Sequence, residues 1–116
     1  MNDDTFEKLE VWQRSIEMSV CIHRATALWT DFSSKDQICR AVDSISNNIA
    51  EGAEHESKAE FKRFLSYAKA SAGETRSQLY LAERLDYVAS SQAQVWRAEL
   101  KEISRMLHGL SRSLGR

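Results

Sequence analysis

The sequence has no proline, only four glycines and only two cysteines. A β-sandwich or barrel turns its chain often and recruits both proline and glycine to do so, and the scarcity disfavours that class and repeated βαβ units alike. The absence of proline leaves long helices uninterrupted. No apolar run approaches the roughly 18 residues of a membrane span. The opening Met1-Asn2-Asp3-Asp4-Thr5 is acidic where a secretory signal is basic. Cys21 and Cys39 fall inside segments of helical pattern and make no disulfide framework. The expectation is a cytoplasmic protein with reduced thiols and no membrane contact.

What remains is one domain's worth of chain. The 116 residues, 42% hydrophobic and 28% charged, suit one globular core. Residues 1–116 are expected to form a single domain with a short flexible lead-in at 1–5. Sixteen basic and 17 acidic side chains give a net charge of −1. That balance hides an asymmetry: residues 1–56 carry five basic and eleven acidic groups, residues 57–116 eleven basic and six acidic. Two readings fit, complementary halves of one bundle or a basic face that meets an anion.

Hydrophobic spacing predicts four helices, near 7–29, 35–53, 57–86 and 90–114. In the first, Leu9, Trp12, Ile16, Val20, His23 and Ala27 form one stripe. Val11, Met18, Ile22, Ala25 and Trp29 form a second beside it. One buried stripe needs about 100° of arc, so this helix is either central or shared with another subunit. Ser34 with Gln37 reads as a capping box for the second helix, whose apolar face is Ile38, Ala41, Val42, Ile45 and Ile49. Gly52 reads as its C-terminal cap. Ser57 with Glu60 opens the third helix, which carries Leu65, Ala68, Ala72, Thr75, Leu79 and Ala82. Its small centre, Ala70-Ser71-Ala72-Gly73, predicts a close helix approach there. Ser91 with Gln94 opens the fourth helix, and Trp96, Leu100, Ile103, Leu107, Leu110 and Leu114 follow at coiled-coil spacing. Short connections make this an all-α, antiparallel up-down-up-down four-helix bundle.

Chemical signals are sparse. His23, His55 and His108 are scattered, and no His-x-x-x-His or Glu-x-x-His pattern provides metal ligands. No phosphate-binding glycine loop or nucleophile elbow occurs. The expectation is therefore no enzyme, no catalytic residue, no metal, no cofactor and no small-molecule substrate. His23 is read as a packing histidine, and Cys21 and Cys39 as ordinary thiols whose role the sequence leaves open. Two constellations remain. Arg40, Ser44, Asn48 and Glu51 share one face of the second helix. Serine and asparagine are mediocre helix formers, and their placement mid-helix invites specific hydrogen-bond partners. With Ser71 and Glu74 from the third helix they make a candidate polar motif, and Arg40 is expected to pair with Glu74. The second constellation is basic: Arg97, Lys101, Arg105, His108 and Arg112 on the fourth helix, and Lys62, Lys69 and Arg76 on the third. An antiparallel pair would set these stripes side by side. Repeated point charges of this kind suit phosphates, while a solvated face is the plainer reading. No exposed aromatic platform is expected beside them.

The segment Ser44-Ile45-Ser46-Asn47-Asn48-Ile49-Ala50-Glu51-Gly52 resembles the signature of the bacterial four-helix bundle proteins encoded by intervening sequences in 23S ribosomal RNA genes. Leu9-Glu10-Val11-Trp12-Gln13, Gln37-Ile38-Cys39-Arg40-Ala41-Val42 and Glu60-Phe61-Lys62-Arg63-Phe64-Leu65 extend the resemblance, as do Ser71, Glu74, Gln78-Leu79 and Leu85-Asp86-Tyr87. It covers roughly residues 6–114. Cys39 stands where many members have a basic residue, and Ala70-Ser71-Ala72-Gly73 replaces a more usual Gly-Ser pair. The resemblance implies a ring-shaped homopentamer. Through a distant relative, the accessory protein of diversity-generating retroelements, it also implies a partner of RNA or nucleoprotein type. Two functions are thus expected as alternatives: an oligomeric scaffold or adaptor, and an RNA-binding accessory factor.

Overall fold

The computed structural model describes residues 6–115, and the expected lead-in at 1–5 lies outside them. Four helices follow in order: α1 (Glu10–Thr26), α2 (Phe32–Glu54), α3 (Lys58–Arg84) and α4 (Ser90–Ser113). No strand occurs among the described residues. They pack as a four-helix bundle about 46 Å long and 21 by 20 Å across. Each helix contacts its neighbours in the sequence, and α1 closes the ring on α4. No helix among the described residues is long and apolar enough to cross a membrane.

Packing at 3.6-residue spacing explains the core. Ile22, Ile38, Ile45, Ile49, Leu65, Leu79, Leu100, Ile103 and Leu107 are all fully buried. On α1 most of the second stripe faces inward, with Val11, Met18 and Ile22 buried beside Ser15 and Thr26, while Ala25 of that stripe is exposed because Thr26 takes the inward position there. The other stripe stays at the rim: Leu9, Trp12, Ile16 and Val20 are half-buried, and His23 and Ala27 are exposed. Helix α1 is therefore peripheral rather than central. All three tryptophans are half-buried against the core.

Several helix ends differ from the sequence expectation, each for a local reason. Helix α2 starts at Phe32 because Asp31 is its cap. The Asp31 carboxylate accepts from the Ser34 backbone N–H at 3.1 Å and from the Ser34 hydroxyl at 2.9 Å, so Ser34 is the capped residue, not the cap. Ser57 does cap α3, accepting from the Glu60 N–H at 3.2 Å. The Glu60 carboxylate does not complete a capping box but pairs with Arg63 at 2.6 Å. Helix α4 is preceded by Ala89 with no side-chain cap, and it is Ser90 whose hydroxyl donates to Glu83. At the end of α3, Asp86 takes a left-handed conformation with φ 62°, and the Tyr87 N–H reaches back to the Ala82 carbonyl at 2.9 Å. That is the C-terminal closure glycine usually supplies, which aspartate tolerates.

The glycines exchange their expected roles. Gly52 does not end α2, which continues to Glu54. It is buried where α2 meets α3, and a Cβ there would lie 2.7 Å from the Phe64 Cβ and 3.0 Å from the Phe61 Cδ1. The neighbouring helix crowds Gly52 and not Gly73, where an added Cβ would meet only the Arg76 guanidinium at 3.8 Å.

Candidate functional site

The polar motif on α2 and α3 resolves into a stitched centre and solvent-exposed ends. The Ser71 hydroxyl donates to the Ser44 hydroxyl oxygen at 2.9 Å across the helix pair. Asn48 Nδ2 donates to the same oxygen at 2.9 Å and to the Ser44 carbonyl at 2.8 Å. This half-buried trio satisfies polar groups that mid-helix serine and asparagine would otherwise leave competing with the backbone. Arg40 and Glu74 do not pair, although each lies one turn beyond the Ser44–Ser71 contact. Arg40 is 78% exposed in its side chain and binds Asp36, one turn back on α2, at 2.8 Å. A carboxylate four residues away on the same helix needs no second helix to position it. Glu51 and Glu74 are exposed.

His23 is not a packing residue. It is exposed, and its Nε2 lies 2.9 Å from both carboxylate oxygens of Asp43, linking α1 to α2. Cys39 is buried with its sulfur 3.4 Å from the Thr26 hydroxyl, while Cys21 is exposed. Among the described residues no group of three histidine, cysteine, aspartate or glutamate side chains could hold a metal.

The basic stripes do meet along the α3–α4 seam, where they line two open grooves. One, of about 570 Å³, is lined by Lys62, His108 and Arg112 together with Ser111 and Gly115. The Lys62 ammonium donates to the Gly115 carbonyl. The other, of about 450 Å³, is lined by Arg76, Tyr80, Gln94, Arg97, Ala98 and Lys101. The cations are not equivalent. Arg97 is only 13% exposed and donates to Glu83 at 2.8 Å. Glu83 also accepts from Ser90, and these two donors, Ser90 first, hold its carboxyl below the usual range. Arg105 is paired with Glu102 at 2.6 Å on its own helix. Lys69 is exposed and lines neither groove. Arg76, Lys101 and Arg112 pair with no carboxylate among the described residues.

The expected lack of an aromatic platform is overturned. Tyr80 is 59% exposed in the second groove, with the Arg97 guanidinium 3.9 Å from its ring centroid. The signal was present in the sequence, since Tyr80 follows Arg76 by four residues and Gln94 precedes Arg97 by three.

At the end of the bundle formed by the α1–α2 and α3–α4 connections, polar clasping and exposed apolar surface coexist. The Tyr87 ring packs tilted against Trp29, with centroids 5.1 Å apart and planes at 55°, and its hydroxyl donates to Asp31 at 2.9 Å. The Ser34 backbone N–H, then its hydroxyl, then Tyr87 hold the Asp31 carboxyl below its ordinary range, and Asp31 in turn raises the Tyr87 phenol. Around this clasp Leu28 is 93% and Phe32 73% exposed, and Leu81 and Leu85 are exposed as well.

The profile of the 23S rRNA-intervening sequence protein family matches residues 7–109. The fold is similar to the crystal structure of a protein of unknown function from the S23 ribosomal protein family of Bacteroides thetaiotaomicron, with a TM-score of 0.81 and 28% identity over 87% of this chain and 97% of that one. Among curated proteins, none matches this chain. With the match running from before α1 to near the end of α4, the chain belongs to the 23S rRNA-intervening sequence protein family.

Proposed function

We propose that the protein is a non-enzymatic oligomeric scaffold of the cytoplasm, built from copies of this chain. The observation that carries this reading is the apolar surface a single chain leaves uncovered at one end of the bundle: Leu28 and Phe32 at the connection between α1 and α2, with Leu81 and Leu85 of the α3 end also exposed. Single apolar residues are ordinary on a surface, but several large ones exposed at the same end of a bundle suit a contact site. A ring of copies covers such a face with one heterologous contact repeated by rotation. The resemblance to the family sets the expected copy number at five. Light scattering of the purified chain is expected to return a mass near five times 13.3 kDa. Phe32→Asp, at a position too exposed to disturb the core, is expected to lower it. A wild-type mass of one chain at micromolar concentration overturns the scaffold reading.

A second reading, an RNA-binding accessory factor, is favoured by Arg76, Lys101 and Arg112 along the α3–α4 seam, which pair with no carboxylate among the described residues. Phosphate contacts release counterions, so affinity for RNA should fall steeply as salt rises. Changing Lys101 and Arg112 to glutamate is expected to abolish low-salt binding. Retained binding would reduce the seam to a solubilising surface. Arg97 and Arg105 are poorer probes because each already serves a carboxylate.

A further inference from the structure

The second groove of the α3–α4 seam, lined by Arg76, Tyr80, Arg97 and Lys101, combines groups whose arrangement the bundle's packing does not require. Arg76 and Lys101 both line it, and neither has a carboxylate partner among the described residues. Two cations facing one open space are relieved by an anion placed between them. Arg97 is differently employed. Its charge is taken up by Glu83, its side chain is nearly covered, and its guanidinium carbon lies 3.9 Å from the Tyr80 ring centroid. Arg97 therefore contributes little free charge and fixes the tyrosine ring in place. Tyr80 remains more than half exposed, so an aromatic surface lies beside two cations that have no carboxylate partner among the described residues. Gln94 adds an amide with two donors and an acceptor at the rim.

We infer that this groove takes a nucleotide unit, with the base stacked on Tyr80 and the phosphate between Arg76 and Lys101. The inference rests on the RNA-binding reading of the seam and narrows it. The other groove offers Lys62, His108 and Arg112 with no aromatic ring among its lining side chains apart from the imidazole, and suits backbone phosphate alone. A base buried in a duplex cannot reach Tyr80, so the unit must come from a single strand or from a free nucleotide.

The test is fluorescence anisotropy of the full-length protein at low salt with three probes: an unstructured single-stranded RNA 12-mer, a duplex of the same length, and a nucleoside monophosphate as competitor. Single strand is expected to bind more tightly than duplex. Tyr80→Leu, which keeps the apolar bulk but removes the ring, should weaken single-strand binding by about tenfold, the scale of one lost base stack, and leave duplex binding unchanged. Tyr80→Phe should bind as wild type. Changing Arg76 and Lys101 together to glutamine should weaken both probes. Competition by the monophosphate identifies a free nucleotide as the source, and its failure to compete identifies a strand. Thermal melts followed by circular dichroism confirm that each variant is folded, as the exposure of Tyr80 predicts. If Tyr80→Leu binds the single strand like wild type while the charge variant does not, the nucleotide inference falls and the backbone reading stands. If neither RNA nor the monophosphate binds the wild type at all, both fall together.

Discussion

Between α2 and α3 the backbones come together over a buried glycine, a hydroxyl pair crosses the interface, and the facing isoleucines and leucines are fully covered. Between α1 and α4 contact is sparse, and the specific link is a two-pronged ion pair: Arg14 donates through Nε at 2.8 Å and Nη2 at 2.6 Å to the two carboxylate oxygens of Glu99. That pairing, the largest influence on Arg14, raises its pKa above the ordinary value. One seam is set by shape, the other by charge at a partly wetted surface. The α2–α3 hairpin is thus the more closely packed half of the bundle. The two most exposed large apolar side chains, Leu28 and Phe32, sit where α1 leads into α2.

The contrast can be broken by measurement, beginning with the largest expected effect. Ile45→Ala, in the fully buried face of α2, should cost about 2–5 kcal/mol. Ile16→Ala, on the half-buried rim of α1, should cost clearly less. Denaturant unfolding of the two variants at one protein concentration decides this, and equal losses would erase the distinction between the seams.

Gly52→Ala should destabilise by about 1–3 kcal/mol, because the new methyl collides with the Phe64 Cβ. Alanine's better helix propensity works against that loss, and the steric term wins because a backbone-attached atom cannot move aside. Gly73→Ala should do the opposite and stabilise by about 0.5–1 kcal/mol, since nothing nearby is displaced. Two changes of identical chemistry with opposite signs make a sharp test by thermal melting.

Glu99→Gln should cost no more than about 1 kcal/mol, because both partners are about a third exposed. The loss should shrink as salt is raised. A salt-independent loss would mean that the α1–α4 seam is also held by shape.

The smallest effect concerns pH. Folding lowers the Asp31 pKa through its bonds to Ser34 and Tyr87, so the folded chain binds that proton less readily than the unfolded one. The resulting stability is complete above the unfolded value and is lost as pH falls through the folded one. The gap in Tm between wild type and Asp31→Asn should therefore be widest near neutrality and close below about pH 4. A gap of constant size across the acid range would remove the carboxylate from the account.

Class and connectivity were legible because they follow from local rules. Apolar residues at three- and four-residue spacing, the absence of proline, and Ser57 before Lys58 all mark helices without reference to any distant residue. The hydrogen-bonded meeting of Ser44, Asn48 and Ser71 was foreshadowed by residues that are costly in a helix unless they find partners. Other details were not local. Gly52 and Gly73 look alike in the sequence, and only the position of Phe64 on the opposing helix decides which one is crowded. The two stripes of α1 carry comparable apolar content, and the packing of α2 chose Val11, Met18 and Ile22 for the core. Arg40 had carboxylates available on two helices, and the one on its own helix won because no tertiary ordering was needed to reach it. Likewise, the sequence spaced the basic residues along two helices. The antiparallel register sorted them, assigning Arg97 to Glu83 and leaving Arg76 and Lys101 beside an open tyrosine ring. Periodicity fixes which residues share a helix face, because helix geometry is the same everywhere. Which face meets which depends on side-chain shape and charge brought together from distant parts of the chain, and that is settled only when the helices pack.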